Sequence, residues 1–325
     1  MELYLAPMEG LTGFVYRNAV NEFVDGAITK YYTPFIEPRP KKGMYKSERR
    51  DLDLSNNKGI NLVPQILTKN PEDCINLCDD IYSNYGYKEI NLNFGCPSKT
   101  VVSRGKGAGI LEDLEGLKLF LDKIFEKDHE YEISVKTRLG MFDVEEMYNL
   151  MSLYNDYPIS ELTVHVRTQN EYYKSRAHMD LFPEIIKFSN RKLCYNGDIY
   201  SVSDINRFEK EVGNLDYPIM LGRGFIANPF LANDIIDSFN GTKTDAIFEP
   251  DTGLYTRDRM IELRKFLDRI YEGYAEIMDD NTAVYRMKEI WAFLFPNVSD
   301  DKRKLKAIQK SKNRLDYETA LNNIF

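Results

Sequence analysis

The chain has 325 residues, 43% of them apolar, with a formal net charge of −8. That is too long for a short secreted disulfide scaffold, and no run of about 18 apolar residues is available to cross a bilayer. The acidic balance argues against a whole-surface nucleic-acid binder but leaves local basic patches open. Met1 to Pro7 is a short stretch soon followed by Glu9, so no signal peptide is expected. Cys74, Cys78, Cys96 and Cys194 lack paired metal spacing and are expected as reduced thiols, with no metal site. A soluble, cytoplasmic protein with no membrane association is expected.

Short apolar or alternating runs recur along the chain, each followed by a polar turn and a segment of helical spacing. The expected strands are Leu3 to Ala6, Gly26 to Thr29, Leu62 to Leu67, Glu89 to Asn93, Glu132 to Thr137, Glu161 to His165, Lys192 to Tyr195 and Ile219 to Leu221. Helices are expected at about residues 13 to 23, 71 to 85, 112 to 127, 144 to 155, 180 to 189, 202 to 211 and 228 to 239. Asn70 before Pro71 and Glu72 is a good N-cap with proline in the first turn. Tyr31 to Lys58 reads as a long polar loop, and Arg104 to Gly109 as a mobile basic loop. Eight strand–helix repeats predict an α/β fold of the TIM (β/α)₈ class, occupying residues 1–245. From about residue 251 helical spacing alone continues. Met260, Leu263, Phe266, Leu267, Ile270 and Tyr274 form one apolar stripe and Ile290, Trp291 and Leu294 another, predicting a C-terminal all-helical domain over 246–325.

Barrels of this class build their sites at the C-terminal ends of the strands. There the sequence places Pro7, Met8, Glu9 and Gly10; Gln65; Asn93 and Cys96; Lys136 and Arg138; His165 and Arg167; Asn196, Gly197 and Asp198; and Gly222, Arg223 and Gly224. Lys136 and Arg138, two apart on a strand, share a face, where unpaired cations are poorly tolerated unless an anionic or electron-rich ligand meets them. The glycines around Arg223 suit a phosphate cradle or a simple turn, and Asn196–Asp198 a ligand loop or a simple turn. Cys96, held between Gly95 and Pro97, reads as a small buried thiol or as an acid or nucleophile.

Taken together in order, APMEG at Ala6 to Gly10, NLNFGCP at Asn91 to Pro97, VKTR at Val135 to Arg138, HVRT at His165 to Thr168, NGDI at Asn196 to Ile199 and GRG at Gly222 to Gly224 resemble the tRNA-dihydrouridine synthases over nearly the whole chain. The resemblance implies a flavin-dependent barrel enzyme with a helical C-terminal domain that reduces specific uridines in the tRNA D-arm. It implies FMN as cofactor, contacted by Pro7, Met8, Gln65, Lys136 and His165, with Asn196, Gly197, Asp198, Gly222 and Arg223 at its ribityl-phosphate arm. It implies Cys96 as the catalytic acid, Asn93 beside the base, and NADPH (or NADH) as reductant. Arg138 and Arg167 are further expected substrate contacts, and no obligate protein partner is implied. Glu9 and Gly13 depart from residues common in the family's opening loop.

An ordinary thiol has a pKa near 8.5 and is protonated at neutral pH, which suits proton donation to a reduced pyrimidine. In the tail, Lys302 to Arg314 holds seven cations, Lys302, Arg303, Lys304, Lys306, Lys310, Lys312 and Arg314, without an acid. Such a run is a solvated face or a phosphate-backbone contact; with the family's helical domain in view, Lys302, Lys306 and Lys310 are expected to meet tRNA. A flavin barrel acting on a free pyrimidine, and a tRNA-binding module without catalysis, remain alternatives at this point.

Overall fold

Strand segments that recur between stretches of helical spacing dictate a parallel sheet covered by helices, and this is the arrangement in the computed structural model, which describes residues 1–39, 42–242, 247–249 and 251–325. The chain packs as two units. One comprises Met1–Pro7, Thr29–Asp198 and Asn206–Leu221, the other Met8–Ile28, Ile199–Ile205 and Gly222–Phe325. The domain boundary expected between residues 245 and 246 lies outside the described residues.

The first unit carries an all-parallel sheet of β1 (Leu3–Leu5), β2 (Lys30–Tyr32), β3 (Leu62–Val63), β4 (Gln65–Ile66), β5 (Glu89–Phe94), β6 (Glu132–Gly140), β7 (Leu162–Thr168), β8 (Leu193–Asn196) and β9 (Ile219–Leu221). Its strand order is β3-β2-β1-β9-β8-β7-β6-β5-β4. The two outermost strands are consecutive pieces of one extended segment separated only by Pro64, with β3 paired to β2 and β4 to β5. The nine strands therefore make eight staves, and the sheet closes into a (β/α)₈ barrel. Proline has no N–H for the ladder, which splits the third stave; its carbonyl still accepts from Asn91 N–H at 2.8 Å, and Gln65 N–H turns to the Thr33 hydroxyl at 2.9 Å.

Outward residues of the staves pack against helices. Phe94 meets Phe120 edge to face at 5.8 Å, and the Thr137 hydroxyl lies 3.0 Å from that of Tyr154. Helix Pro71–Tyr85 shows why these segments form: Asn70 caps the N–H of Asp73, Pro71 occupies the first turn, Cys74, Leu77, Cys78 and Ile81 make the buried stripe, and Gly86 ends the helix at φ +75°. Inside the barrel, Tyr4, Ala6, Tyr32, Val63, Cys194 and Met220 form an apolar layer. Below it, buried Glu161 accepts hydrogen bonds from Tyr4 and Tyr32 and pairs with Lys30 at 3.2 Å and Lys192 at 3.1 Å.

Two expectations from the sequence need correction. The second strand is Lys30–Tyr32, not Gly26 to Thr29, because Asp25 and Gly26 both take positive φ in a turn closed by Ala27 N–H on the Val24 carbonyl. The segment from Tyr31 to Lys58 is not one polar loop: it contains most of that strand, helix Lys46–Leu52 and the short turn Leu54–Asn56.

The second unit is helical. Helix Phe14–Phe23 packs on Arg257–Ala275, with Tyr16 and Phe23 edge-on to Phe266 at 5.8 and 5.5 Å. Gly273 is required there, since a Cβ would stand 2.8 Å from Val15. Both apolar stripes read from the sequence lie in this unit's core, apart from the half-buried Met260. Fully buried Trp291 donates to the Tyr317 hydroxyl at 2.9 Å, so its one polar atom is satisfied.

Candidate active site

Period-two alternation turns Gln65, Asn91, Asn93, Ser134, Lys136, Arg138, His165 and Asn196 toward one another, and parallel register sets them at adjoining levels. Gln65 pairs with Asn91, Asn93 with Lys136, Arg138 with His165, and His165 with Asn196. The upper barrel is therefore lined by amides and cations contributed by β4 to β8.

Immediately past β5 the chain turns through Gly95, Cys96 and Pro97, and the turn is held at nearly every main-chain group. The Asn93 side-chain oxygen accepts from Gly95 N–H at 3.1 Å and Cys96 N–H at 2.9 Å. Arg138 Nε donates to the Gly95 carbonyl at 2.8 Å, Ala108 N–H to that of Cys96 at 3.0 Å, and Gln169 Nε2 to that of Pro97 at 3.2 Å. Gly107, at φ +55°, passes so close that a Cβ would lie 2.8 Å from the Cys96 carbonyl oxygen. The segment expected as a mobile basic loop is instead a packed wall of this turn: Gly107–Glu112 is a short 3₁₀ helix, residues 107 to 111 are buried, and Lys106 pairs with Glu37 at 2.7 Å. Nothing in the local sequence of this basic stretch signals that its glycine lets two backbones touch. Cys96 itself is half-buried, unlike Cys74, Cys78 and Cys194, which are fully enclosed.

Lys136 donates to the Asn196 side-chain oxygen at 2.9 Å, while Asn196 Nδ2 donates to the Met220 carbonyl at 2.8 Å. No carboxylate forms an ion pair with Lys136 among the described residues. Loss of solvent, and then the charge of Arg138, push the ammonium down to about 7. Burial likewise lowers Arg138 to about 10. His165 Nε2 lies 3.2 Å from Arg167 Nη1; a guanidinium only donates, so this ring nitrogen accepts and a neutral imidazole carries its proton on Nδ1.

The structure gives the expected substrate arginines intramolecular partners. Arg138 also donates to the Thr168 carbonyl at 2.8 Å, and Arg167 makes a two-point pair with Asp198 and donates to the Ser175 carbonyl. Asp198, expected at the cofactor, thus holds Arg167 and also accepts from Ala177 N–H at 3.0 Å. These contacts fasten the segment after β7, in which Glu171 binds Thr168 N–H, the Ser175 hydroxyl and His178. Burial alone would raise the Glu171 carboxyl, but those hydrogen bonds outweigh it and hold it at about 2. The same segment sets the half-exposed ring of Tyr173 6.0 Å from the His165 ring and within 6.0 Å of both guanidinium carbons. Sequence reading overlooked Tyr173, Gln169 and Glu171, which stand on an irregular segment; the overlooked Asn91 and Ser134 were visible as same-face neighbours of Asn93 and Lys136.

Pro7 follows β1 and is half-buried, and Gly197 leaves room for the Tyr195 hydroxyl, which a Cβ would approach to 2.2 Å. Met8, Gly222 and Arg223 belong to the second unit, where Met8 N–H donates to the Thr12 hydroxyl at 2.8 Å and Arg223 lies 5.9 Å from the Tyr200 ring centre. A Cβ on Gly224 would stand 1.9 Å from the Ile199 carbonyl oxygen, so the glycine permits two segments to cross. Lys302, Lys306 and Lys310 are exposed on helix Lys302–Lys310.

A closed (β/α)₈ barrel with a clamped cysteine and, at its C-terminal rim, a lysine that no described carboxylate pairs defines a class of barrel proteins whose chemistry faces that end of the pore. Residues 4–322 match the family model "Dihydrouridine synthase (Dus)", and the chain belongs to that family. It is 28% identical over 254 residues to a tRNA-dihydrouridine(16) synthase of Cupriavidus necator, covering 75% of this chain and 76% of that one. A probable tRNA-dihydrouridine synthase of Staphylococcus epidermidis is 31% identical over 234 residues, covering 70% and 69%. One from Helicobacter pylori is 26% identical over 317 residues, covering 95% and 90%. Among solved structures, a variant of NCR from Zymomonas mobilis superposes with a TM-score of 0.49 at 14% identity, covering 76% of this chain and 88% of that one.

Proposed function

We propose that the protein is a tRNA-dihydrouridine synthase, an oxidoreductase that saturates the C5–C6 bond of specific uridines in the tRNA D-arm. The observation that supports this most is the Cys96 turn, clamped beside a lysine without a carboxylate partner, in a chain of the dihydrouridine synthase family. The donor set fits a flavin: a buried lysine with a lowered pKa and no carboxylate partner among the described residues suits an electron-rich, hydrogen-bonding ring. In this reading Pro7, Lys136, His165 and Asn196 hold FMN, enclosed Gln65 backs the site through its bonds to Asn93 and Asn91, and Gly197 and Asp198 shape the loop beside it. When bound, the flavin supplies hydride to C6 of the uracil ring, with NADPH or NADH as the reductant.

The protein's own groups do the rest. Negative charge develops on C5 and O4 of the base, and the Cys96 thiol delivers a proton to C5 as general acid. Lys136 offsets negative charge on its side of the pore without an internal carboxylate to neutralise it. Arg138 and Arg167 serve the substrate by holding the walls, and Asn93 holds the turn while lying beside the base. The uridine leaves its stack to enter a barrel mouth, as base-modifying enzymes require. Lys302, Lys306 and Lys310 supply backbone attraction for tRNA. A cytoplasmic setting is part of this reading; among the described residues no helix is long and apolar enough to cross a membrane.

Nucleoside mass spectrometry with site mapping of tRNA from cells lacking the gene tests reaction and position together: loss of dihydrouridine at defined D-arm sites is expected, and an unchanged dihydrouridine map overturns the assignment. Turnover of free uracil or orotate by purified protein, with none on tRNA, would instead establish the free-pyrimidine reading.

A further inference from the structure

Four buried side chains form a hydrogen-bonded chain inside the barrel. Asn93 Nδ2 donates to Gln65 Oε1 at 2.7 Å, Gln65 Nε2 to Asn91 Oδ1 at 2.8 Å, and Asn91 Nδ2 to Ser134 Oγ at 3.0 Å. Its direction is fixed by the protein backbone. The N–H groups of Gly95 and Cys96 only donate, so the Asn93 atom facing them is oxygen, and its nitrogen faces Gln65. Gln65 must then present oxygen to Asn93 and nitrogen to Asn91, and Asn91 must present oxygen to Gln65 and nitrogen to Ser134. Gln65 and Asn91 are fully enclosed and Ser134 is 1% exposed, so water cannot repair a reversed amide.

We propose that Asn91 and Ser134 are positioning residues for the proton donor: by supplying the acceptors that the backbone-set polarity of Asn93 and Gln65 requires, they hold the Cys96 turn in its productive orientation. The inference rests on the reading of Cys96 as the acid. Removing the Ser134 oxygen leaves Asn91 Nδ2 without this acceptor, and reversing the amides cannot relieve it, because the Asn93 NH2 would then face the Gly95 and Cys96 N–H groups; the amides tilt off their bonds and the turn loosens. Both residues lie deeper in the barrel than the reacting groups. Their effect passes entirely through the chain, and neither is expected to touch base or cofactor.

The test separates the two half-reactions of the flavin-loaded enzyme, reduction by NADPH and single-turnover oxidation by tRNA. Ser134→Ala and Asn91→Leu are expected to slow the oxidative half about tenfold or more, because small misplacements of a reacting group are costly. KM for tRNA and the reductive half should change less than threefold. Asn91→Asp is the polarity control. Its carboxyl group accepts from Gln65 on one oxygen and from the Ser134 hydroxyl on the other, so it should keep the oxidative rate within about threefold. Equal loss in both halves, or unchanged oxidation in both Ser134→Ala and Asn91→Leu, overturns the inference. Cys96→Ala is run beside them: parental tRNA turnover there defeats the acid assignment itself, whereas its loss alongside an unaffected Ser134→Ala defeats only the positioning role.

Discussion

The two ends of the same barrel are both polar, yet they are solved oppositely. At the closed end Glu161 is met by two lysines and two tyrosine hydroxyls, and Lys30 is shared with Glu89 at 3.0 Å. Lys30, Lys192, Glu89 and Glu161 there each have an oppositely charged partner, and desolvation with the neighbouring carboxylate drives the Tyr4 hydroxyl far above its ordinary pKa, so it stays a neutral donor. At the open end Lys136 is buried against an amide and a second cation, which lowers its pKa instead of raising it as at Lys30. A compensated network secures a fold, whereas an uncompensated one keeps its interaction energy for a ligand.

The largest effect should come at the open end. Cys96→Ala should leave flavin bound and reducible while dihydrouridine formation on tRNA falls by about 10² to 10⁴, the usual worth of a general acid; a normal yield from that variant defeats the assignment. At the closed end the effect should move from rate to stability. Glu161→Ala leaves Lys30 with Glu89 alone and two tyrosine hydroxyls facing a vacated site, and should cost about 1–3 kcal/mol in denaturant unfolding, with turnover per folded molecule unchanged. A loss of turnover without loss of stability would erase the distinction between the ends.

A pH series sharpens the same contrast. Lys136 titrates near 7 when folded and near its ordinary 10.4 when unfolded, so between those values the unfolded chain binds more protons and stability should rise with pH. In Lys136→Met apoprotein that rise should flatten; an identical pH slope in both proteins would show that the lysine is not desolvated. The smallest effect concerns the solvated cations of the second unit. Neutralising Lys302, Lys306 and Lys310 together should lower the salt dependence of tRNA binding by roughly 2 to 3 in log–log slope, with chemistry on saturating tRNA intact. An unchanged slope removes this helix from the RNA contact.

Much of this was legible in the sequence because it is periodic. Strand Ile219–Leu221 and helix Pro71–Tyr85 fall where the pattern puts them, since the first is a short apolar run stopped at Gly222 and the second has a cap, a helical apolar stripe and a glycine stop. Cys96, Lys136 and His165 were legible as residues at strand ends, and the family motifs supplied roles that no spacing alone could. The second strand was displaced because a positive-φ turn at Asp25 and Gly26 is stronger than the apolar run around it.

By itself, then, the sequence determined the repeat of eight strands, the residues that reach the rim, the helical tail and the family. Only the tertiary structure decided how Pro64 divides a stave while the barrel still closes, that the Arg104–Gly109 segment is a wall, and that Arg138 and Arg167 are occupied by carbonyls and Asp198. It alone joined Ser134, Asn91, Gln65 and Asn93 into one directed chain. The physical reason is range: periodicity, capping and turns are settled among neighbours, whereas a buried donor finds its acceptor on another strand, tens of residues away, and only the closed barrel brings the two within 3 Å.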